Sequence, residues 1–252
     1  VLNNETFDAK KSKFIDAFIL SFCSRNYSTE IINVLFEFDQ THDHLINFKE
    51  CLPNGKSFFT ILNGRSNARK IVPFLIQNGA NPNAPDKDGV YPLEYAINES
   101  ITSLANALIE TGKIDFNIKL ANNKSYLHLA SCSKNEILSN LLNNKVIDVN
   151  VTDSNGETPL MSACRAHSIK NIRTLFKDDD LDYLYCNNEG DDALKICQKL
   201  TKREVKPGST KTSYQDALIS TFRSGRFGRS SISINERSAE KTGSNEGENK
   251  DE

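Results

Sequence analysis

The sequence predicts an all-α solenoid of paired-helix repeats, about five to six of them. Three observations predict it. Segments of one grammar recur at anchors 55, 89, 123, 156 and 190, spaced 34, 34, 33 and 34 residues apart. Each anchor is a Gly or Asn followed by a short apolar stripe of helical period. A second helical stripe then follows each of the first four anchors at matching distance. A fixed period of about 20–50 residues marks units that bury their apolar faces only by stacking on one another.

Composition narrows the alternatives. Only 12 Gly and 7 Pro among 252 residues disfavour a loop-rich all-β chain or disorder throughout. With 31 Lys+Arg against 33 Asp+Glu, the chain lacks the basic footprint of a nucleic-acid binder. No run approaches the roughly 18 apolar residues of a membrane span. The polar start, Asn3-Asn4-Glu5, has no signal-peptide pattern. Cys23, Cys51, Cys132, Cys164, Cys186 and Cys197 form no C-x-x-C pair and sit mostly in apolar segments. That usage fits a reduced, intracellular and hence cytoplasmic protein.

Residues 1–50 read as a divergent N-terminal capping helix pair. Ile19, Leu20 and Cys23 form its first stripe, and Ile31, Ile32, Val34, Leu35 and Phe36 its second, with Ser28 as cap and Glu30 in the first turn. The array proper spans 51–223. Two residues after each anchor stands an N-cap candidate: Ser57, Ser125, Thr158 or Asp192. Tyr91 is the exception, but Pro92 and Glu94 favour a helix start there. The buried stripe of each first helix is an i, i+3 pair: Phe59/Leu62, Leu93/Ala96, Leu127/Ala130, Leu160/Ala163 and Leu194/Cys197.

The second helices carry Val72, Phe74, Leu75 and Ile76; Leu104, Ala107, Leu108 and Ile109; Ile137, Leu138, Leu141 and Leu142; and Ile172, Leu175 and Phe176. Units close on Gly79–Ala84, Ile114–Asn117 and Ile147–Asn150, with a looser Leu181–Leu184. After Leu200 the chain turns polar, and Tyr214, Ala217, Leu218, Ile219 and Phe222 restore a stripe, read as the delayed second helix of the fifth unit. Residues 224–252 are poor in apolar side chains and read as a disordered tail. The tail opens on the Arg/Ser string 223–231, which suits a basophilic kinase but is also common tail composition.

The repeat resembles the ankyrin repeat. Gly156–Ala163 matches its G-x-T-P-L-H-x-A start, and Asn78–Asn83 its N-G-A-x-x-N end. The resemblance covers roughly residues 50–200. It implies stacked helix–turn–helix units with β-turn fingers and a concave side that binds proteins. The motif's histidine is kept only as His128, a departure that marks the chain as divergent.

Catalytic and metal chemistry has few candidates. Cys164 and His167 lie one helical turn apart, but the register puts His167 at the helix-ending position where left-handed geometry is useful. His42 and His44 flank Asp43 in a loop with no second pair of ligands. His128 and Cys132 are at i, i+4, a spacing that a nucleophile and base could use, yet His128 holds the motif's own position. Asp178-Asp179-Asp180 reads as a helix end and solvated loop. The chain has no G-x-S-x-G, Walker A loop or H-E-x-x-H. The sequence therefore predicts no catalytic residue, cofactor or metal.

The expected function is a protein-interaction scaffold, monomeric, with a protein partner and neither nucleic acid nor membrane. By register, Ile61, Tyr95, Leu129, Ser162 and Ile196 precede each small helix position and point outward. The candidate surface is Tyr95, Glu99, Leu129, Ser162 and Arg165 with finger residues Lys87, Lys119 and Asp153. Tyr95 and Leu129 could instead pack on the neighbouring finger. The alternative is a regulatory segment of a larger enzyme whose catalytic domain lies outside residues 1–252. A chain beginning at Val1 leaves that open.

Overall fold

The computed structural model describes residues 47–204 apart from 53, 63–67, 135 and 144–146, together with 34, 37, 38, 41 and 220. The expected capping pair over 14–38, the delayed helix at 214–222 and the tail at 224–252 lie outside the described residues, save for 34, 37, 38 and 220.

Among the described residues eight α-helices follow one another: α1 (Ala68–Gln77), α2 (Pro92–Asn98), α3 (Thr102–Glu110), α4 (Tyr126–Cys132), α5 (Ile137–Asn143), α6 (Pro159–Arg165), α7 (Ile169–Leu175) and α8 (Ala193–Glu204). They pack as two rows. The first row is a 3-10 turn at Phe58–Leu62 followed by α2, α4, α6 and α8; the second is α1, α3, α5 and α7. Each helix touches its neighbours along the row, and each of α1, α3, α5 and α7 touches the element that precedes it.

Most of these helices have seven residues, below the roughly 12–15 at which an isolated helix becomes marginally stable. Packing must therefore hold them. Leu93 and Leu127 are 0% exposed and Leu160 1%, and Leu104, Leu108, Ile137, Leu141, Ile172 and Leu175 are all at 0%. These are the stripes that the repeat pattern assigns to the core.

The starts of the first-row helices follow local chemistry. Thr158 Oγ1 accepts the Met161 N–H at 3.4 Å, and Asp192 Oδ1 accepts the Lys195 N–H at 2.7 Å. At α2, where no capping hydroxyl exists, Glu94 accepts the Tyr91 N–H at 3.3 Å. The first unit departs from the expected α-helix. The Thr60 N–H and Oγ1 both donate to the Ser57 carbonyl, at 3.0 and 2.7 Å, and this tight i, i+3 closure forms a 3-10 turn. At the other end, α8 continues through the polar residues after Leu200 to Glu204.

The fingers are hairpin turns. Gly89 donates to the Asp86 carbonyl and Asp86 to that of Val90, both at 2.9 Å; the same pair of bonds joins Asp153, Gly156 and Glu157, and again Asn187, Gly190 and Asp191. The anchor residue takes positive φ in every unit: Gly55 +82°, Gly89 +80°, Asn123 +58°, Gly156 +70° and Gly190 +74°. His167 has φ +54°, matching its helix-ending place in the register.

Candidate functional site

The finger side is built on a repeated side-chain device. Asp86 Oδ1 accepts the N–H groups of Asp88 and Val90 at 2.9 and 3.0 Å. Asp153 Oδ1 does the same for Asn155 and Glu157 at 2.8 and 3.0 Å, and Asn187 Oδ1 for Glu189 and Asp191 at 3.0 and 2.9 Å. Backbone bonds stitch the first finger to the second, Lys87 to Gly55 at 2.9 Å, the third to the fourth, Ser154 to Asn122 at 3.0 Å, and the fourth to the fifth, Asn188 to Asn155 at 3.1 Å. Each finger is thus closed by its own turn bonds, and these cross-finger bonds join the first to the second and the third to the fifth.

Electrostatics tightens the first of these stitches. Lys56 reaches Asp86 at 3.2 Å and Asp88 at 2.6 Å across the finger boundary. Burial alone would raise the Asp86 carboxyl, but the Val90 N–H, the Lys56 ammonium and the Asp88 N–H together bring it below the ordinary carboxylate value.

The candidate surface residues divide into three groups. Lys87, Lys119 and Glu99 are exposed. Tyr95 on α2 and Leu129 on α4 are half-buried and rest on the core. Burial first, and the Glu99 charge second, raises the Tyr95 phenol above its ordinary value. The third group needs correction. Asp153 is 6% exposed, and its carboxylate is turned into its own finger to cap two N–H groups. Ser162 is 5% exposed and Ile196 2%, so neither points freely outward. Ser162 lies on α6, which is flanked by α4 and α8, and its short side chain does not clear them.

Arg165 is exposed, but its guanidinium is engaged. Its Nε contacts both Glu157 carboxylate oxygens at 2.8 and 2.9 Å, and its Nη2 also binds Glu157. Lys199 pairs with Asp191 in the next unit. The two pairs share one register, an acid one residue after the anchor and a base nine after it. The sequence carried that signal, visible only once the anchors were fixed.

The candidate chemical groups serve the packing. His128 is 0% exposed. Its Nδ1 lies 3.1 Å from the Ser125 N and 2.9 Å from Ser125 Oγ, and its Nε2 lies 2.8 Å from the Glu157 carbonyl. A backbone N–H can only donate, so Nδ1 accepts and Nε2 carries the proton. Both nitrogens are used, leaving no base for Cys132, whose Sγ–H points at the Ser162 carbonyl at 3.6 Å. Burial pushes the Cys132 thiol up and, with Cys197 beside it, the Cys164 thiol as well, the reverse of what a nucleophile needs. Asp178 Oδ1 caps the Asp180 N–H at 3.0 Å in the loop after α7. His42 and His44 lie outside the described residues. Among the described residues, no group of three or more His, Cys, Asp or Glu is placed to hold a metal ion, and no helix is long and apolar enough to cross a membrane.

A model of ankyrin repeats in three copies matches residues 58–153, 98–185 and 127–206, together more than half of the chain. The chain belongs to the ankyrin repeat family. The matched ankyrin segment begins at the 3-10 turn of the first described unit and ends just beyond α8. Ankyrin repeats are generally protein–protein interaction modules and typically do no chemistry themselves. No curated protein matches the chain at a significant level.

Proposed function

We propose that this ankyrin array binds a protein partner on the side formed by its fingers and first-row helices, through Lys87, Tyr95, Glu99, Lys119 and Leu129. One observation carries the reading. Tyr95 and Leu129 hold the same register on adjacent helices α2 and α4 and stay partly accessible, whereas their equivalents Ser162 and Ile196 are buried. An aromatic and an aliphatic side chain, both braced from below, form an anchor of the kind that dominates interface energetics. Lys87, Glu99 and Lys119 supply a rim of both charge signs, which suits a protein better than a phosphate backbone. Each finger is already closed by its own hydrogen bonds, Asp86 to Val90 at 2.9 Å and Leu120 to Lys124 at 2.8 Å, so binding need not order it.

The test is capture of a partner by the full chain, followed by affinity measurement on variants. Tyr95→Ala is expected to weaken the identified complex about tenfold or more. Lys70→Glu, on the exposed side of α1 in the second row, is expected to leave it intact. The reverse pattern would move the site to the second row of helices.

A further inference from the structure

We propose that the finger side takes an acidic segment of its partner, the carboxylates lying on Lys119 and Lys124 of the third finger and an apolar side chain on Tyr95 and Leu129. The place of this segment rests on the binding surface proposed above; its acidity rests on the charges of one finger. Residues 119–124 include Lys119 and Lys124 and no acid, whereas 152–157 carry Asp153 and Glu157 and no base, and 186–191 carry Glu189 and Asp191 and no base. Lys119 is exposed and Lys124 half-buried. Neither has an ion pair among the described residues, and nor has the exposed Lys87 on the second finger.

The other units show what the third finger lacks. Around them the chain supplies counter-charges of its own. Lys56 reaches Asp86 and Asp88 at 3.2 and 2.6 Å, Arg165 binds Glu157, and Lys199 binds Asp191. Glu157 and Asp191 stand one residue after their anchors, and the third finger has Lys124 there. Asp86, Asp153 and Asn187 stand three before, each offering a side-chain oxygen to two N–H groups of its turn. The third finger has Leu120 there, 7% exposed, which offers none. Cys132 replaces the base nine residues after the anchor. The third finger has thus lost both acceptor positions and gained a cation, so the carboxylate absent in cis is the group that a partner can bring.

The cations lie beside the apolar pair. Lys124 precedes α4 by two residues, and Leu129 stands in that helix. Lys124 and Lys119 both disfavour the charged form of His128, the residue before Leu129, so their ammoniums share its side of the finger. An extended segment advances about 3.3 Å per residue, so it passes from Leu129 to the finger within two or three residues. The acids nearby do not cancel these cations. Asp88 is answered by Lys56 and Glu157 by Arg165, Asp153 is turned into its own finger, and Glu94 accepts the Tyr91 N–H at 3.3 Å. Glu99 follows the last residue of α2, at the end away from the fingers. The surface is therefore cationic at the fingers, apolar in the middle and anionic beyond. A continuous phosphate chain would meet Glu99 and the apolar pair unfavourably, whereas a protein segment can carry acidic and apolar side chains in turn. Such exposed charges act mainly on encounter and specificity.

The test selects binders to the full chain from a displayed library of short random peptides. The selected peptides are expected to be rich in Asp and Glu beside a Leu, Phe or Tyr, and to bind Tyr95→Ala more weakly. Lys119→Glu with Lys124→Glu is expected to weaken them about tenfold, and changing their own acids to lysine to restore binding to that variant, which loss of fold could not do. Peptides weakened by Tyr95→Ala but not by the lysine reversal overturn the acidic segment alone. Peptides indifferent to both overturn the surface as well. A selection no richer in acids than its library, or no binder at all, also overturns the proposal. So does a single-stranded oligonucleotide that binds more tightly than the peptides and is released by the lysine reversal but not by Tyr95→Ala, since the cations then serve phosphates.

Discussion

His128 in α4 donates its Nε2–H across the repeat boundary to the Glu157 carbonyl, 2.8 Å away. Glu157 is held a second time, through its carboxylate, by Arg165 of α6. One finger residue thus couples its own helix to the helix of the preceding unit. Asn171 of α7 does similar work from the second row, its Nδ2 facing the carbonyls of Ser131 in α4 and of Ser133 just after it, at 2.9 and 2.7 Å. In a solenoid, stability is approximately a sum of unit terms and nearest-neighbour terms, so such boundary contacts decide whether the array unfolds as one body.

The state of His128 makes stability depend on pH. Burial lowers its folded pKa below the ordinary 6.5, outweighing the raising effect of the Glu157 carbonyl. The unfolded chain then binds more protons than the folded one as pH falls below 6.5, so stability is full above that value and drops on acidification towards the folded pKa. Tm is expected to fall between about pH 7.5 and pH 5.5, and to fall less in His128→Asn. Equal pH dependence in both proteins would show that His128 does not carry it.

Two finger glycines of similar φ separate backbone strain from close packing. A Cβ at Gly89, φ +80°, meets nothing within 4 Å. At Gly156, φ +70°, it would stand 2.5 Å from Asn188 Oδ1 and 3.0 Å from the Asn188 N, whose N–H holds the Asn155 carbonyl. Gly89→Ala is expected to cost about 1 kcal/mol from the left-handed backbone alone. Gly156→Ala is expected to cost about 2–3 kcal/mol, because the next finger must also shift. Denaturant melts of the two variants compare them directly.

Leu127→Ala and Leu160→Ala are each expected to destabilise by about 2–5 kcal/mol, as buried leucines do. Both side chains sit between neighbouring units that have no other core to share. A loss under about 0.5 kcal/mol at both sites, the scale of surface changes, would contradict the register.

The core was legible because a leucine every 33 or 34 residues admits one register, and that register placed Leu93, Leu127 and Leu160 correctly. The surface was less legible. Periodicity says which way a helix position faces but not whether neighbours close over it, so the register points Ser162 and Ile196 outward although both are buried. The role of Asp153 is hidden for another reason. A finger aspartate looks like a free charge until the positions two and four residues on are seen to need an acceptor, a pattern shared by Asp86 and Asn187. The 3-10 turn at Phe58–Leu62 carried the same anchor grammar as its α-helical counterparts, and only its hydrogen bonding told them apart.

The Glu157–Arg165 pair separates stability from recognition. Glu157 has a side chain only 9% exposed, while that of Arg165 is 45% exposed. Breaking a fully buried pair costs about 3–5 kcal/mol and an exposed one at most about 1 kcal/mol. Discounted for the solvent around Arg165, Arg165→Ala is expected to cost about 1–2 kcal/mol, mostly through the carboxylate left without its cation. Glu157→Gln combined with Arg165→Met removes both charges and is expected to recover about 1 kcal/mol of that loss in a double-mutant cycle. Recognition should move the other way. A guanidinium already bound on two edges offers little to a partner, so Arg165→Ala is expected to change affinity by less than about threefold, against about tenfold for Tyr95→Ala. A large affinity loss for Arg165→Ala at unchanged Tm would instead make Arg165 a contact residue whose pairing with Glu157 opens on binding.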